Sequence, residues 1–236
     1  MTDLKKLHAA SFDRAADVYE RARPGYPADA VAWLLRDRPR AVLDLGAGTG
    51  KLTRLLAVDT VYAVDPSERM LQQLRAAVPT ADARLGTAES IPLPDASVDL
   101  VTVAQAWHWV DPDTAVPEVA RVLRPGGALA LIWNERDPRV PWVAELTAAM
   151  HPSNGELWLD EPRLPDGEVE EFATEWSMPF DRESLHDLVQ SRSYVISAPE
   201  QERREILAAV DAVIDAHPEA AGVMPYRTRA FRIRVA

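Results

Sequence analysis

From residue 41 the chain alternates short, continuously apolar runs with segments whose apolar residues recur at helical spacing. The runs are AVLDLG (41–46), VYAVD (61–65), ARLGTA (83–88), VDLVTVAQA (98–106) and GALALIWN (127–134). Between them, 52–57, 68–77 and 113–123 carry the helical period. A strand that is apolar on both faces needs cover on both faces, which is the condition of a parallel sheet between two helix layers. Right-handed crossovers then gather the C-terminal ends of the strands along one edge, where a ligand binds at the topological switch point. Arg124-Pro-Gly-Gly127 closes one helix and opens the next strand, as Pro and Gly predict.

The flanks read differently. Segment 5–23 carries Leu7, Phe12, Ala15, Ala16 and Tyr19 at helical spacing and ends at Arg23-Pro-Gly-Tyr-Pro27. Pro27 opens a second helix over 28–35, with Val31, Leu34 and Leu35 as its buried side. Downstream, 138–150 is helical, and 151–171 is rich in Pro, Gly and acidic residues and is expected to cover the surface. A strand over 172–180, helices over 182–190 and 199–216 and a final strand over 226–235 complete the reading. The expected architecture is a single doubly wound α/β domain with a mostly parallel seven-stranded sheet and an antiparallel C-terminal strand. Residues 1–37 form a helical lid, 41–134 the ligand-binding core and 135–236 the acceptor side.

Composition narrows the chemistry. No Cys is present, so disulfides, thiolate zinc sites and a Cys nucleophile are excluded. His8, His108, His151, His186 and His217 are scattered, with no pair at metal-ligand spacing on one helix, and no metal is expected. A formal net charge of −11 repels phosphate backbones and disfavours nucleic acid as a partner. The local exception is Arg227, Arg229, Arg232 and Arg234, which on a terminal strand read as a guard against edge-to-edge pairing. No run approaches the roughly 18 apolar residues of a membrane span. Met1-Thr-Asp-Leu-Lys-Lys lacks the apolar stretch of a signal peptide, so a cytoplasmic monomer or homodimer is expected.

The most informative run is Leu43-Asp44-Leu45-Gly46-Ala47-Gly48-Thr49-Gly50. It follows a strand, and its glycines let backbone approach a ligand without a Cβ in the way. Asp65 ends the next strand, where a carboxylate can accept from both hydroxyls of a ribose. A dinucleotide fingerprint needs G-x-G-x-x-G, but here the third glycine arrives one residue early and Lys51 takes its place. Asp44 suits a ligand with a cationic amino group rather than a pyrophosphate, and no P-loop string is present. The expected ligand is therefore an adenosine with a cationic, phosphate-free tail.

These residues bring a family into view. LDLGAGTGKLT (43–53), VDPSERML (64–71), GTAESIPLPDASVDLV (86–101), AWHWVD (106–111) and RVLRPGGALALIW (121–133) occur in this order. The chain resembles the class I S-adenosylmethionine-dependent methyltransferases, within them the small-molecule group that includes ubiquinone-biosynthesis and trans-aconitate methyltransferases. The resemblance implies a Rossmann-like methyltransferase fold and S-adenosylmethionine as cofactor. It implies that Gly46, Gly48 and Gly50 line the methionine end near Asp44, and that Asp65 meets the ribose. It further implies Pro66 and Met70 against the adenine and Ala88 and Glu89 at its edge, with Thr87 where many relatives carry Asp.

At the acceptor end, Gln105 can accept from the cofactor's ammonium group, and His108 is the candidate general base because an imidazole titrates near neutrality. His108 can equally be a packing residue between Trp107 and Trp109. Tyr19 and Arg23 are four residues apart on one helical face and, folded over the crevice, would meet the cofactor carboxylate. A carboxylate acceptor needs no base and would be held by an Arg such as Arg14, Arg23 or Arg139, whereas a hydroxyl would use His108. The expected reaction is in-line O-methylation of a small molecule. A nicotinamide oxidoreductase and a catalytically silent cofactor-binding module stay open as alternatives.

Overall fold

In the computed structural model, which describes residues 23–150, 164–220 and 222–234, the apolar runs form the centre of one sheet. Strands β1 (Ala41–Leu45), β2 (Thr60–Asp65), β3 (Asp82–Leu85), β4 (Val98–Ala104), β5 (Leu123–Arg136), β6 (Glu168–Pro179) and β7 (Val223–Arg234) take the order β3-β2-β1-β4-β5-β7-β6. β1 to β5 run parallel, and β7 pairs antiparallel with both β5 and β6. The order reverses at β1 and β4, so the C-terminal ends of these two strands open a crevice between their diverging connections.

The two faces of the sheet follow from the two-residue period of a strand. Leu43, Leu45, Val101, Val103, Leu129 and Leu131 pack on one side with Ala115, Val119 and Val122 of helix α3 (Pro112–Val122). Here α1 is Ala28–Leu34 and α2 is Glu68–Ala77. Val42, Leu100, Ala130 and Ile132 pack on the other side against Ala30, Val31 and Leu34 of α1. Leu34, Leu43, Leu100, Leu129 and Leu131 are fully buried, and each such side chain contributes about 1.5–3 kcal/mol on leaving water. A second apolar cluster joins α4 (Pro141–Met150), α5 (Arg182–Gln190), α6 (Ser193–Ser197) and α7 (Glu200–Ala216) to Met224 and Tyr226 of β7.

Three expectations change. The helix over 52–57 shrinks to a 3-10 turn at Thr53–Leu55, because Leu56 leaves helical geometry (φ −82°, ψ 86°) and the Thr53 hydroxyl is drawn down to Asp44. The strand placed at 172–180 begins at Glu168, so the end of the acidic 151–171 stretch joins the sheet rather than covering the surface. The C-terminal arginines do not guard an edge, since β7 is interior and β6 is the edge. Opposite β7 stand Glu168, Glu170 and Glu175 in register with Arg234, Arg232 and Arg227. Arg229 pairs with Glu171 at 2.9 Å and Arg232 with Asp37 at 2.7 Å. The basic run thus lies in register with an acidic edge strand, and Arg229–Glu171 is an ion pair between the two strands. No helix of the described residues is long and apolar enough to cross a membrane.

Candidate active site

The glycine run turns out of β1 directly beneath the crevice. Gly46 N and Ala47 N donate to Val64 O at 2.8 and 3.1 Å, tying the loop to β2. Gly46 (φ +72°) is required sterically, because a Cβ there would lie 2.8 Å from Ala106 Cβ. Gly48 is different: at φ +54° a Cβ would meet nothing within 4 Å. Its conformation favours glycine, and the space over its Cα is an open cradle. Asp65 fixes that cradle, accepting from Gly48 N on Oδ2 and from Ser67 N on Oδ1, both at 2.9 Å. A backbone cradle backed by a carboxylate fits an adenosine ligand with an uncharged or cationic tail.

Asp44 does not line the crevice. It is fully buried under the loop, where Thr53 Oγ1 donates to it at 2.6 Å and Thr102 Oγ1 at 3.3 Å. Burial raises its pKa from 3.8 to about 6, against the two hydroxyl hydrogen bonds that lower it, and the nearby Asp65 adds to the rise. It is a poised negative charge behind the glycines.

Above the loop lies a cavity of about 570 Å³ including its open mouth, bounded by Gly46, Gly48 and Thr49 on one side and by Arg23, Gln105 and Arg192 on the other. Gln105 takes φ +57°, an unfavourable conformation for a side chain. It is held there by N–H donation to Ile132 O at 2.9 Å and by Nε2 donation to Asn134 O at 2.8 Å. The amide oxygen is then the acceptor left for a ligand ammonium. Asn134 Nδ2 donates to Gly25 O at 2.8 Å, and its Oδ1 accepts from Thr228 Oγ1 at 2.6 Å, which in turn accepts from Trp176 Nε1 at 2.8 Å. This chain of bonds lays residues 23–27 across the strand ends. Arg23 Nε completes the strap by donating to Ser191 Oγ at 3.1 Å.

The remaining expected residues fall as follows. Met70 is buried at the start of α2, which Ser67 Oγ caps through Met70 N, while Pro66 is exposed beside Asp65. Ala88 is buried in the main core, and the exposed Glu89 accepts from Asp111 N at 3.2 Å. None of these four lines the cavity. Trp107 is core, whereas His108 stands exposed in a 3-10 turn, its ring 4.8 Å from that of Trp109. The protein around the His108 ring, and then the charges of Arg23 and Arg192, lower its pKa. The expected titration near neutrality moves to the acid side. Arg139 is no acceptor clamp, since Asp137 and Glu175 occupy it at 2.7 and 2.5 Å. Tyr19 and Arg14 lie outside the described residues. Sequence reasoning missed Asn134, Arg192 and Tyr226 as parts of this wall; only the placement of Asn134 at the end of an apolar strand hinted at it.

Residues 43–131 match the family model described as a methyltransferase domain. An uncharacterized methyltransferase of Mycobacterium tuberculosis is 49% identical over 100% of both chains. A trans-aconitate 2-methyltransferase of Azoarcus is 31% identical over 80% of this chain and 83% of its own. A solved structure from Anaeromyxobacter dehalogenans, described as a candidate type II methyltransferase, superposes with a TM-score of 0.63 at 27% identity, covering 90% of this chain and 98% of that one. With the glycine cradle, the carboxylate at the end of β2 and the order of the seven strands, these full-length relationships make the chain a member of the class I S-adenosylmethionine-dependent methyltransferases.

Proposed function

We propose that this methyltransferase acts on a small-molecule acceptor and transfers the methyl group to an oxygen atom. The cavity carries the reading: it is a concave site whose lining joins the glycine loop to Arg23, Pro24 and Tyr26 of the strap, as a small-molecule site requires. The Azoarcus relative is named for a small-molecule acceptor, trans-aconitate. When bound, S-adenosylmethionine supplies a methyl group already activated on a sulfonium. Residues 41–134 hold it and residues 135–236 shape the acceptor side.

The work left to the protein is alignment and exclusion of water. Gly46, Gly48 and Gly50 admit the methionine portion, and Gln105 accepts from its ammonium group. Arg23, and Tyr19 beside it on the same segment, hold its carboxylate. Asp65 receives the ribose hydroxyls, while Pro66, Met70, Ala88 and Glu89 bound the adenine side. Asp44 offers its charge through the loop to the cationic tail. His108, neutral at physiological pH, is an acceptor for a hydroxyl proton if the acceptor carries one. The test is a screen of small acids, phenols and alcohols with S-adenosylmethionine, reading S-adenosylhomocysteine and the methylated atom by mass spectrometry and NMR. Turnover confined to nitrogen or carbon acceptors, or to whole proteins, overturns the proposal.

A further inference from the structure

The basic wall of the cavity holds more charge than the cofactor can use. Arg136 ends β5, Arg192 follows α5, and Tyr226 stacks on Trp176 with ring centroids 5.0 Å apart. Arg136 Nη1, Arg192 Nε and the Tyr226 hydroxyl are sealed from solvent, and none has a hydrogen-bond partner among the described residues. Arg192 and Tyr226 line the cavity. Arg136 is not itself a lining residue; burial lowers the basicity of both arginines, and the charges of Arg23 and then Arg136 lower that of Arg192 further. Elsewhere this acidic chain gives its arginines carboxylates: Arg121 and Arg182 each meet two. A buried guanidinium left without an anion is strongly destabilising, and here there are two.

The cofactor brings one carboxylate, which the proposed function gives to Arg23. We infer that Arg136, Arg192 and Tyr226 anchor a carboxylate of the acceptor that is distinct from the methylated group, so that the acceptor is a small organic acid with at least two carboxylates. This rests on the methyl-transfer reading above. Guanidinium forks match a planar carboxylate, and a phenol hydroxyl adds one more donor. An oxygen whose lone pairs are engaged by two guanidiniums is a poor nucleophile, so the reacting group must be another. A second carboxylate needs no proton acceptor, which agrees with a His108 of lowered basicity. In the step, a lone pair of that carboxylate oxygen forms the bond to the methyl carbon. The carbon–sulfur bond breaks with its electrons going to sulfur, and a methyl ester and S-adenosylhomocysteine result with no proton exchanged.

The test uses the full chain saturated with S-adenosylhomocysteine and measures calorimetric affinity for a panel: tricarballylate, glutarate, succinate, acetate, benzoate and inorganic phosphate. At least one di- or tricarboxylate should bind tenfold or more tightly than acetate, benzoate or phosphate. Arg192→Gln, Arg136→Gln and Tyr226→Phe should each weaken that affinity tenfold or more and leave S-adenosylmethionine affinity within about twofold. Without ligand the two Arg→Gln variants should melt no lower than wild type, because an unpaired buried charge has been removed. Failure of every polycarboxylate, while S-adenosylmethionine still binds, overturns this inference and leaves the methyltransferase assignment standing. Binding of phosphate alone overturns it equally. Arginine variants that melt early and bind the acid normally make the cluster structural, which is also against it. Loss of S-adenosylmethionine binding in the wild type would instead strike the underlying reading.

Discussion

Replacing Asp44 by Asn tests whether the charge beneath the glycine loop is held at a cost to the fold. The carboxyl is fully buried, and its pKa stands at about 6 against 3.8 in the unfolded chain. A group raised on folding binds more protons in the native state between those two values, so its effect on stability falls as pH rises through that window and is at its most unfavourable above about 6. A rise of about two units corresponds to roughly 3 kcal/mol. Asn mimics the protonated acid in shape and can still meet the Thr53 and Thr102 hydroxyls. Asp44→Asn should therefore stabilise the cofactor-free protein by up to about 3 kcal/mol at pH 7.5, and the gain should vanish as pH approaches 4. Urea unfolding of both proteins across this range, read as their difference, cancels the other titrating groups. The same substitution should weaken S-adenosylmethionine binding and abolish the rise in affinity that wild type shows as pH climbs through about 6. A mutant less stable than wild type at pH 7.5, or a difference that does not change with pH, would refute the reasoning.

Asp65→Ala should weaken S-adenosylmethionine binding by about 1.5–3 kcal/mol, the worth of charge-assisted hydrogen bonds; an unchanged calorimetric constant would remove Asp65 from the site. Gly48→Ala should lower stability by about 1–2 kcal/mol through its positive φ and reduce cofactor affinity further by filling the cradle, so wild-type affinity in a folded mutant would argue against contact there. Deleting residues up to Gly25 removes the Asn134 and Ser191 contacts of the strap and should loosen cofactor binding and abolish turnover while the circular dichroism of the core persists; normal turnover would exclude the strap from the site. His108→Ala should lower turnover about a hundred-fold with a hydroxyl acceptor but leave a carboxylate acceptor's turnover nearly intact, with a flat pH profile above pH 6 in wild type; an early-melting mutant would mark the residue as structural.

The parallel half of the fold was open to reading because each strand must be apolar on both faces, and few other structures require that of AVLDL or VDLVTVA. The C-terminal half was harder for the same reason. β6 is an edge strand with an acidic stretch, and its alternation is broken by Glu170 and Glu171 side by side. Only the partner strand explains it, since the acids face arginines more than fifty residues away. Charge on β7 therefore reads as an edge guard until the strand order places β6 outside it.

The site divides along the same line. Its proposed cofactor end is one continuous loop and the residue that ends the next strand, so Gly46, Gly48, Gly50 and Asp65 stand out as candidates in the sequence. The depth of Asp44 could not: a carboxylate in a strand reads as ligand-facing, and only the Thr53 and Thr102 hydroxyls show that it points beneath the loop. The acceptor end has no local signature at all. Arg136, Arg192 and Tyr226, the proposed anchor, come from the end of β5, the turn after α5 and the antiparallel strand, and each taken singly is an ordinary residue. What sets them apart is that, among the described residues, Arg136 and Arg192 have no carboxylate partner in a chain rich in acids, which is a property of place. Burial converts that absence into selectivity: in a desolvated wall a second like charge is repelled as strongly as an anion is drawn. Desolvation first, and then the charges of Arg23 and Arg192, lower the basicity of His108, so the wall that would capture an acid also weakens the candidate base, and both point to an acceptor that arrives already ionised.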